Sequence, residues 1–508
     1  MPLDKRYYVH TGYDGTLDTG DTAEADIVAL VNGLAPDRHV VLHLHGGLVS
    51  PADAFDTAGR LLPLYLKAGV HPIFVVWESD VLRSVENVLR QVWQEGIFQT
   101  LVKHLLRHTV GLLRPAGGLR GRGTAAARPN DLQTAIEFQK LRNGEIPFGQ
   151  VGPPKDLSPA TDQELEDLKT DLMRDPVFAA EAPEVVRGLQ AGAAGARAKG
   201  AGGPARPTLM SPEDFPEAAA VGPEGVRAKG GPNVAMLLYH AGKVLARVVS
   251  RFREGRDHGV YPTVVEEVLR EFYFTNVGSA LWGRMKRQTE YAFRRADGAP
   301  PPGALAFLDA LARRFPPGGV RPSLSVVAHS AGGIYACHLL AALRDLHAKD
   351  PAFDLRLKDL LLLAPACDFR LFASVLGPAA CFDQVRLFAL RDELECGYWE
   401  VPVLYPRSLL YLVSGAFEKE NGGDGAYDLP LLGMERYHVG TDVYKQPEVG
   451  QVRQFLAGDP KRQVWSVEAG GLGLDCDTRK HGDFCLDSQT RQPTRAMYSV
   501  LHVLEHGW

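Results

Sequence analysis

No apolar run in this sequence approaches the roughly 20 residues that a membrane-spanning helix needs. Its opening residues, Met1-Pro2-Leu3-Asp4-Lys5-Arg6, also lack the apolar stretch of a secretory signal, so a cytoplasmic protein is expected. Cysteine is scarce, with six in 508 residues. Cys337, Cys367, Cys381 and Cys396 fall in or beside expected core segments, where a thiol behaves as a small hydrophobe. Cys476 and Cys485 are expected to stay reduced. No His/Cys spacing resembles a zinc site, and His43 with His45 on one strand face are only two ligands, so no metal or cofactor is expected. An excess of one charge is missing too: 56 Lys and Arg against 61 Asp and Glu leave a net charge of −5. With no basic arm interleaved with aromatics, nucleic acid is excluded as the expected partner. What remains is an ordinary globular composition, 45% hydrophobic and 23% charged. The chain is too long for one comfortable core, so one large domain with an insertion, or two domains, is expected.

The most informative stretch is Ser325-Val326-Val327-Ala328-His329-Ser330-Ala331-Gly332-Gly333. Its apolar start suits a buried parallel strand, and Ile334 to Leu346 is apolar at helical spacing. A serine at such a strand-to-helix corner stands proud of the sheet. Small residues two before it (Ala328) and two after it (Gly332) let the two backbones pass closely. Serine is also a good helix N-cap, but a cap does not need small residues on both sides. Ser330 is therefore a candidate nucleophile. A second segment, His39-Val40-Val41-Leu42-His43-Leu44-His45-Gly46-Gly47-Leu48, reads as a strand ending in His-Gly-Gly.

With these two segments the chain resembles the α/β-hydrolase superfamily, particularly its lipases and esterases, over residues 1 to 79 and 302 to 508. Ala328 stands where glycine is commoner. The resemblance implies an oxyanion hole built from the Ala331 N–H and from the N–H of Gly47 or Leu48. It also implies the chain order nucleophile, acid, histidine. Leu360 to Pro365 and Val385 to Leu390 read as the next two strands, followed by Asp368 and Asp392. The resemblance favours Asp392, after the second strand beyond the nucleophile, over Asp368 and then Glu395. Gln463 to Glu468 reads as a last strand and Thr494 to Leu504 as a last helix. Between them lies His481, the expected general base, with His438 as its competitor.

The segments Tyr7–His10 and His71–Trp77 read as further strands. Ala23 to Asn32, Ala58 to Ala68 and Gly303 to Phe315 read as helices. The residues from 80 to 301 exceed what the core needs and are expected to form a mainly helical cap, as lids are carried at strand carboxyl ends. Thr161-Asp162-Gln163-Glu164 fits a capping box. Residues 189 to 232, rich in Gly, Ala and Pro, with Arg-Ala-Lys-Gly at 197 and at 227, read as a mobile loop. Asn233 can cap a helix with an apolar face and a basic row, Lys243, Arg247 and Arg251, which suits either a solvated face or peripheral contact with lipid. Val277 to Phe293, with Trp282 and Met285, reads as a helix near the site entrance. The expected function is a serine hydrolase acting on a carboxylic ester, lipid-like or bulky in its acyl part. An amidase or peptidase on the same triad, or a binding protein of the same fold, are the alternatives.

Overall fold

Short runs of Val, Leu, Ile and Phe, bounded by turn residues, become strands in the computed structural model. It describes residues 3 to 508 except 13, 18–19, 48, 78–81, 114–127, 150, 152–156, 196–207, 216–233, 295–301, 419–427 and 440–442. The strands are β1 (Tyr8–Thr11), β2 (His39–Leu44), β3 (His71–Trp77), β4 (Ser323–His329), β5 (Leu357–Leu363), β6 (Phe382–Leu390) and β7 (Gln463–Ser466). They form one sheet in the order β1-β3-β2-β4-β5-β6-β7. Every neighbouring pair in it is parallel. A short antiparallel pair, β8 (Glu468–Ala469) and β9 (Asp475–Cys476), follows. The protein is thus an α/β protein, a parallel sheet flanked by helices whose strands are mostly buried.

The strand order fixes where a site can form. After β2 the chain turns to β3 on one side, and after β4 it turns to β5 on the other. The loops leaving β2 and β4 therefore part, which opens a crevice at the carboxyl edge of the sheet.

The helices are α1 (Glu24–Asn32), α2 (Pro51–Lys67), α3 (Leu82–Gln94), α4 (Gly96–Leu113), α5 (Asp131–Gln139), α6 (Asp162–Arg174), α7 (Pro176–Gly195), α8 (Ala235–Arg253) and α9 (Val260–Phe272). After them come α10 (Gly283–Tyr291), α11 (Gly303–Arg314), α12 (Gly332–Lys349), α13 (Phe369–Ala373), α14 (Asp392–Cys396), α15 (Leu409–Leu412), α16 (Pro447–Ala457) and α17 (Arg495–His506). The chain divides into two units. The sheet unit holds Met1–Arg83, Gly283–Cys396 and Pro430–Trp508, and the helical unit holds Ser84–Trp282 and Gly397–Leu429.

These boundaries differ from the sequence reading at two places. Residues 283–291 belong with the sheet, because α10 lays Met285 against the loop after β2. Residues 397–429, expected as core, form a second excursion whose Tyr405 hydroxyl donates to Glu266 and whose Asp428 accepts from Arg256 Nε at 2.9 Å.

The helical unit also corrects the reading of the basic row. Arg251 is fully buried, 2.8 Å from Glu266 and 3.1 Å from Glu267, and Arg247 lies 2.8 Å from Glu267 and 2.6 Å from Glu271. Both arginines face the acids of α9, so they present no cationic face to lipid. Thr161 does close a capping box with Glu164 at the start of α6. The expected helix from 277 splits into a π-helical segment, Thr275–Trp282, and α10. Of the expected mobile loop, 189–195 ends α7. Residues 208–215 carry a 3-10 turn, Pro212–Asp214. The remainder, with both Arg-Ala-Lys-Gly repeats and Asn233, lies outside the described residues.

Candidate active site

Strand β4 ends at His329 and α12 begins at Gly332, which leaves two residues for the corner. Ser330 takes up the turn with φ +53°, in the left-handed region that costs a non-glycine residue about 1 kcal/mol or more. Three backbone hydrogen bonds hold it there. Its N–H donates to Leu363 O at 2.9 Å, and its carbonyl accepts from Gly333 and Ala366 N–H, both at 2.9 Å. Gly332 is required by close approach: a Cβ there would lie 2.5 Å from the Leu44 carbonyl oxygen at the end of β2. Glycine two residues past the serine is thus what lets α12 start against the neighbouring strand.

His481 sits on a 3-10 turn, His481–Asp483, between the β8–β9 pair and α17. Its Nε2 is 2.9 Å from Ser330 Oγ. Burial lowers the pKa of this imidazole to about 3, with a smaller push from the neighbouring His329. It is therefore neutral around pH 7 and can accept the serine proton. Among the described residues the other ring nitrogen, Nδ1, is buried with no hydrogen-bond partner.

That unpartnered Nδ1 corrects the assignment of the acid, because the structure does not place Asp392 on His481. Asp392 opens α14, and its own N–H donates to the Glu435 carboxylate at 2.8 Å. Glu435 also pairs with Arg391, so the corner after β6 is tied to the segment after 430. Asp368 caps α13, accepting from Leu371 N–H at 2.7 Å, and Glu395 is buried within α14. Asp483, close to His481 in sequence, accepts from Ser488 N–H at 3.2 Å. His438, the competing base, has both ring nitrogens engaged, with Leu432 O at 2.7 Å and the Gln463 side chain at 3.0 Å.

The oxyanion candidates come together on the other side of Ser330. Gly47 lies against Ala331, where a Cβ on it would sit 2.6 Å from the Ala331 Cβ and would also strike the Met285 sulfur. His45 orients this loop. Its Nδ1–H donates to Gly46 O at 2.7 Å, and its Nε2 accepts from Trp77 N–H at 3.2 Å. Because the peptide is trans, fixing the Gly46 carbonyl toward His45 turns the Gly47 N–H the opposite way. Ala331 precedes the first turn of α12, whose leading N–H groups have no intrahelical acceptor and carry the positive end of the helix dipole. Leu48 lies outside the described residues. Among the described residues no group of three His, Cys, Asp or Glu could hold a metal ion, and no helix is long and apolar enough to cross a membrane.

Two participants escaped the sequence reading, His45 as the orienter of the glycine loop and His329, whereas Met285, expected on a helix near the site entrance, does lie against the glycine loop. His329 was in plain sight, directly before the serine, but nothing in the string shows that its ring reaches the turn carrying His481. Compared with known proteins, the chain matches no family model, no curated protein and no solved structure.

Proposed function

We propose that the chain is a serine hydrolase of the α/β-hydrolase type, cleaving a carboxylic ester. One observation carries the reading: Ser330 is held in a left-handed corner at the carboxyl edge with its Oγ 2.9 Å from a neutral, buried imidazole. A serine hydroxyl is a weak nucleophile until a base at this distance takes its proton. In the proposed sequence, Ser330 Oγ attacks the acyl carbon as its proton passes to His481 Nε2. The oxyanion is met by the Ala331 and Gly47 N–H groups. His481 then returns the proton to the leaving alcohol. Water, deprotonated by the same nitrogen, attacks the acyl-enzyme and restores Ser330. The strand order supports this, since it sets the glycine loop and Ser330 on the two sides of one crevice.

The long insertion of largely apolar helices favours a lipid-like or bulky acyl group as the substrate. The unpartnered Nδ1 of His481 favours a second reading, a binding protein of the same architecture without turnover. One experiment separates the two: labelling by a fluorophosphonate probe, with hydrolysis of p-nitrophenyl esters from acetate to palmitate. Labelling and turnover that vanish in Ser330→Ala, with an unchanged melting temperature, support the hydrolase. A wild-type protein that neither labels nor turns over supports the binding protein.

A further inference from the structure

A general base of this kind is ordinarily steadied through its distal ring nitrogen by a carboxylate. Here that nitrogen is buried without a partner among the described residues, so another contact must hold the imidazole at 2.9 Å from Ser330. The hold is at the backbone. His329 Nε2 donates to the His481 carbonyl oxygen at 2.9 Å. Its ring lies 5.4 Å from the His481 ring, tilted by 34°, and 6.1 Å from the Phe484 ring. On its other edge, Nδ1 would lie 3.2 Å from a Cβ placed on Gly46, in the glycine loop. One imidazole, covalently next to the nucleophile, therefore hydrogen-bonds to the turn that carries the base and lies beside the loop that carries an oxyanion donor.

We infer that His329 is the positioning residue of the Ser330–His481 pair, doing through the backbone of His481 what a carboxylate does through the ring. The tautomer follows from the partner: a carbonyl accepts only, so His329 carries its proton on Nε2. Burial lowers its pKa, which keeps the ring neutral and this tautomer populated. The arrangement also explains why Nδ1 of His481 can be buried unpaired. The turn is already fixed, and a misplacement of about 1 Å in a reacting group can cost a hundred-fold in rate.

The inference rests on the serine-hydrolase reading, so the experiment separates their failures. The fluorophosphonate labelling rate and steady-state ester hydrolysis are measured for the wild type, Ser330→Ala, His329→Phe, His329→Gln and His329→Asn. No labelling of the wild type overturns the reading and the inference with it. Where wild type labels and Ser330→Ala does not, the His329 variants decide. His329→Phe keeps a ring and loses the donor. Its kcat and labelling rate should fall together by roughly a hundred-fold, with KM within about three-fold. The Gln amide reaches where Nε2 lies, whereas the shorter Asn amide reaches only where Nδ1 lies. His329→Gln should therefore recover most of the loss and His329→Asn should not, a comparison that stands even if His329→Phe fails to fold. A kcat in His329→Phe within about three-fold of wild type, or equal activities of the Gln and Asn variants, overturns the inference.

Discussion

Ser330 holds its backbone in a conformation that costs a serine energy. Its φ of +53° is comfortable for glycine and unfavourable for serine, and neighbouring backbone groups clamp it there. Replacing it by glycine removes the penalty along with the hydroxyl. Ser330→Gly should therefore abolish ester hydrolysis while raising stability by about 1 kcal/mol in urea unfolding; lower stability would mean that the serine is there for the fold. Asp392 makes the opposite case. The acid-to-amide change in a triad costs about ten-thousand-fold through the wrong histidine tautomer. Because Asp392 does not engage His481 Nδ1, Asp392→Asn should cost less than about ten-fold in kcat; a loss near the triad value would show that the carboxylate joins the ring during turnover. Ser330 and His481 were legible in the sequence because each stands where the backbone itself delivers it, at a corner and in a turn after a named strand. The acid was not, because a hydrogen bond to Nδ1 depends on where a side chain finally points, and the corner after β6 is tied to Glu435, 43 residues away.

The strands were the most legible elements: β3 is His71–Trp77 in both sequence and structure, because a parallel strand buried on both faces is written as an unbroken apolar run. The partners of a helix are not written that way. The period of α8 shows a basic row, yet only the fold reveals that Arg247 and Arg251 meet Glu266, Glu267 and Glu271 on α9. Glu266 is the hub of this interior. It is fully buried, forms an ion pair with Arg251 at 2.8 Å, and accepts from His258 Nδ1 at 2.8 Å and from the Tyr405 hydroxyl, while the Gly415 backbone leaves room for its carboxyl group. Burial alone would raise its pKa, but the opposing charges of His258 and Arg251 prevail and hold it at about 2. Breaking a buried pair by removing one charge leaves the other uncompensated, a loss of about 3–5 kcal/mol. Glu266→Gln should therefore lower the stability of the helical unit by that amount, read as a shift of its transition in urea. A shift below about 1 kcal/mol would mean that water or rearrangement compensates Arg251. The same hub is why residues 397–429 fold with 84–282, a link of more than a hundred residues that no local pattern announces.

At the scale of the molecule, the two kinds of buried ionisable group divide the acid side of the pH scale between them. Burial lowers the pKa of several histidines of the sheet unit, four of them furthest, to about 3 for His43 and His481 and to about 4 for His45 and His438. Unfolded, each would titrate near 6.5. Between pH 6.5 and about 4 the unfolded chain thus binds protons that the folded chain refuses. A lowered histidine pKa means stability that is complete above 6.5 and drains away as the pH falls below it. Each histidine contributes at most about 1.4 kcal/mol per pH unit, so four together set a ceiling of about 5 kcal/mol per unit. The lowered carboxylates act later. Glu266 and Glu271 in the helical unit, both at about 2, keep their contribution above pH 4.5 and lose it only as the pH falls toward 2. Urea unfolding followed from pH 8 to pH 4 should accordingly show a plateau down to about 6.5 and then a steep decline in the transition of the sheet unit. The hydrogen bonds of His438, to Leu432 O and to Gln463, are ones a neutral amide side chain can also make. His438→Gln should therefore flatten the decline by up to one proton's share. A sheet unit that keeps its full stability down to pH 4.5 would show that these rings accept protons in the folded state, and the neutral, buried base at the centre of the proposed chemistry would fall with it.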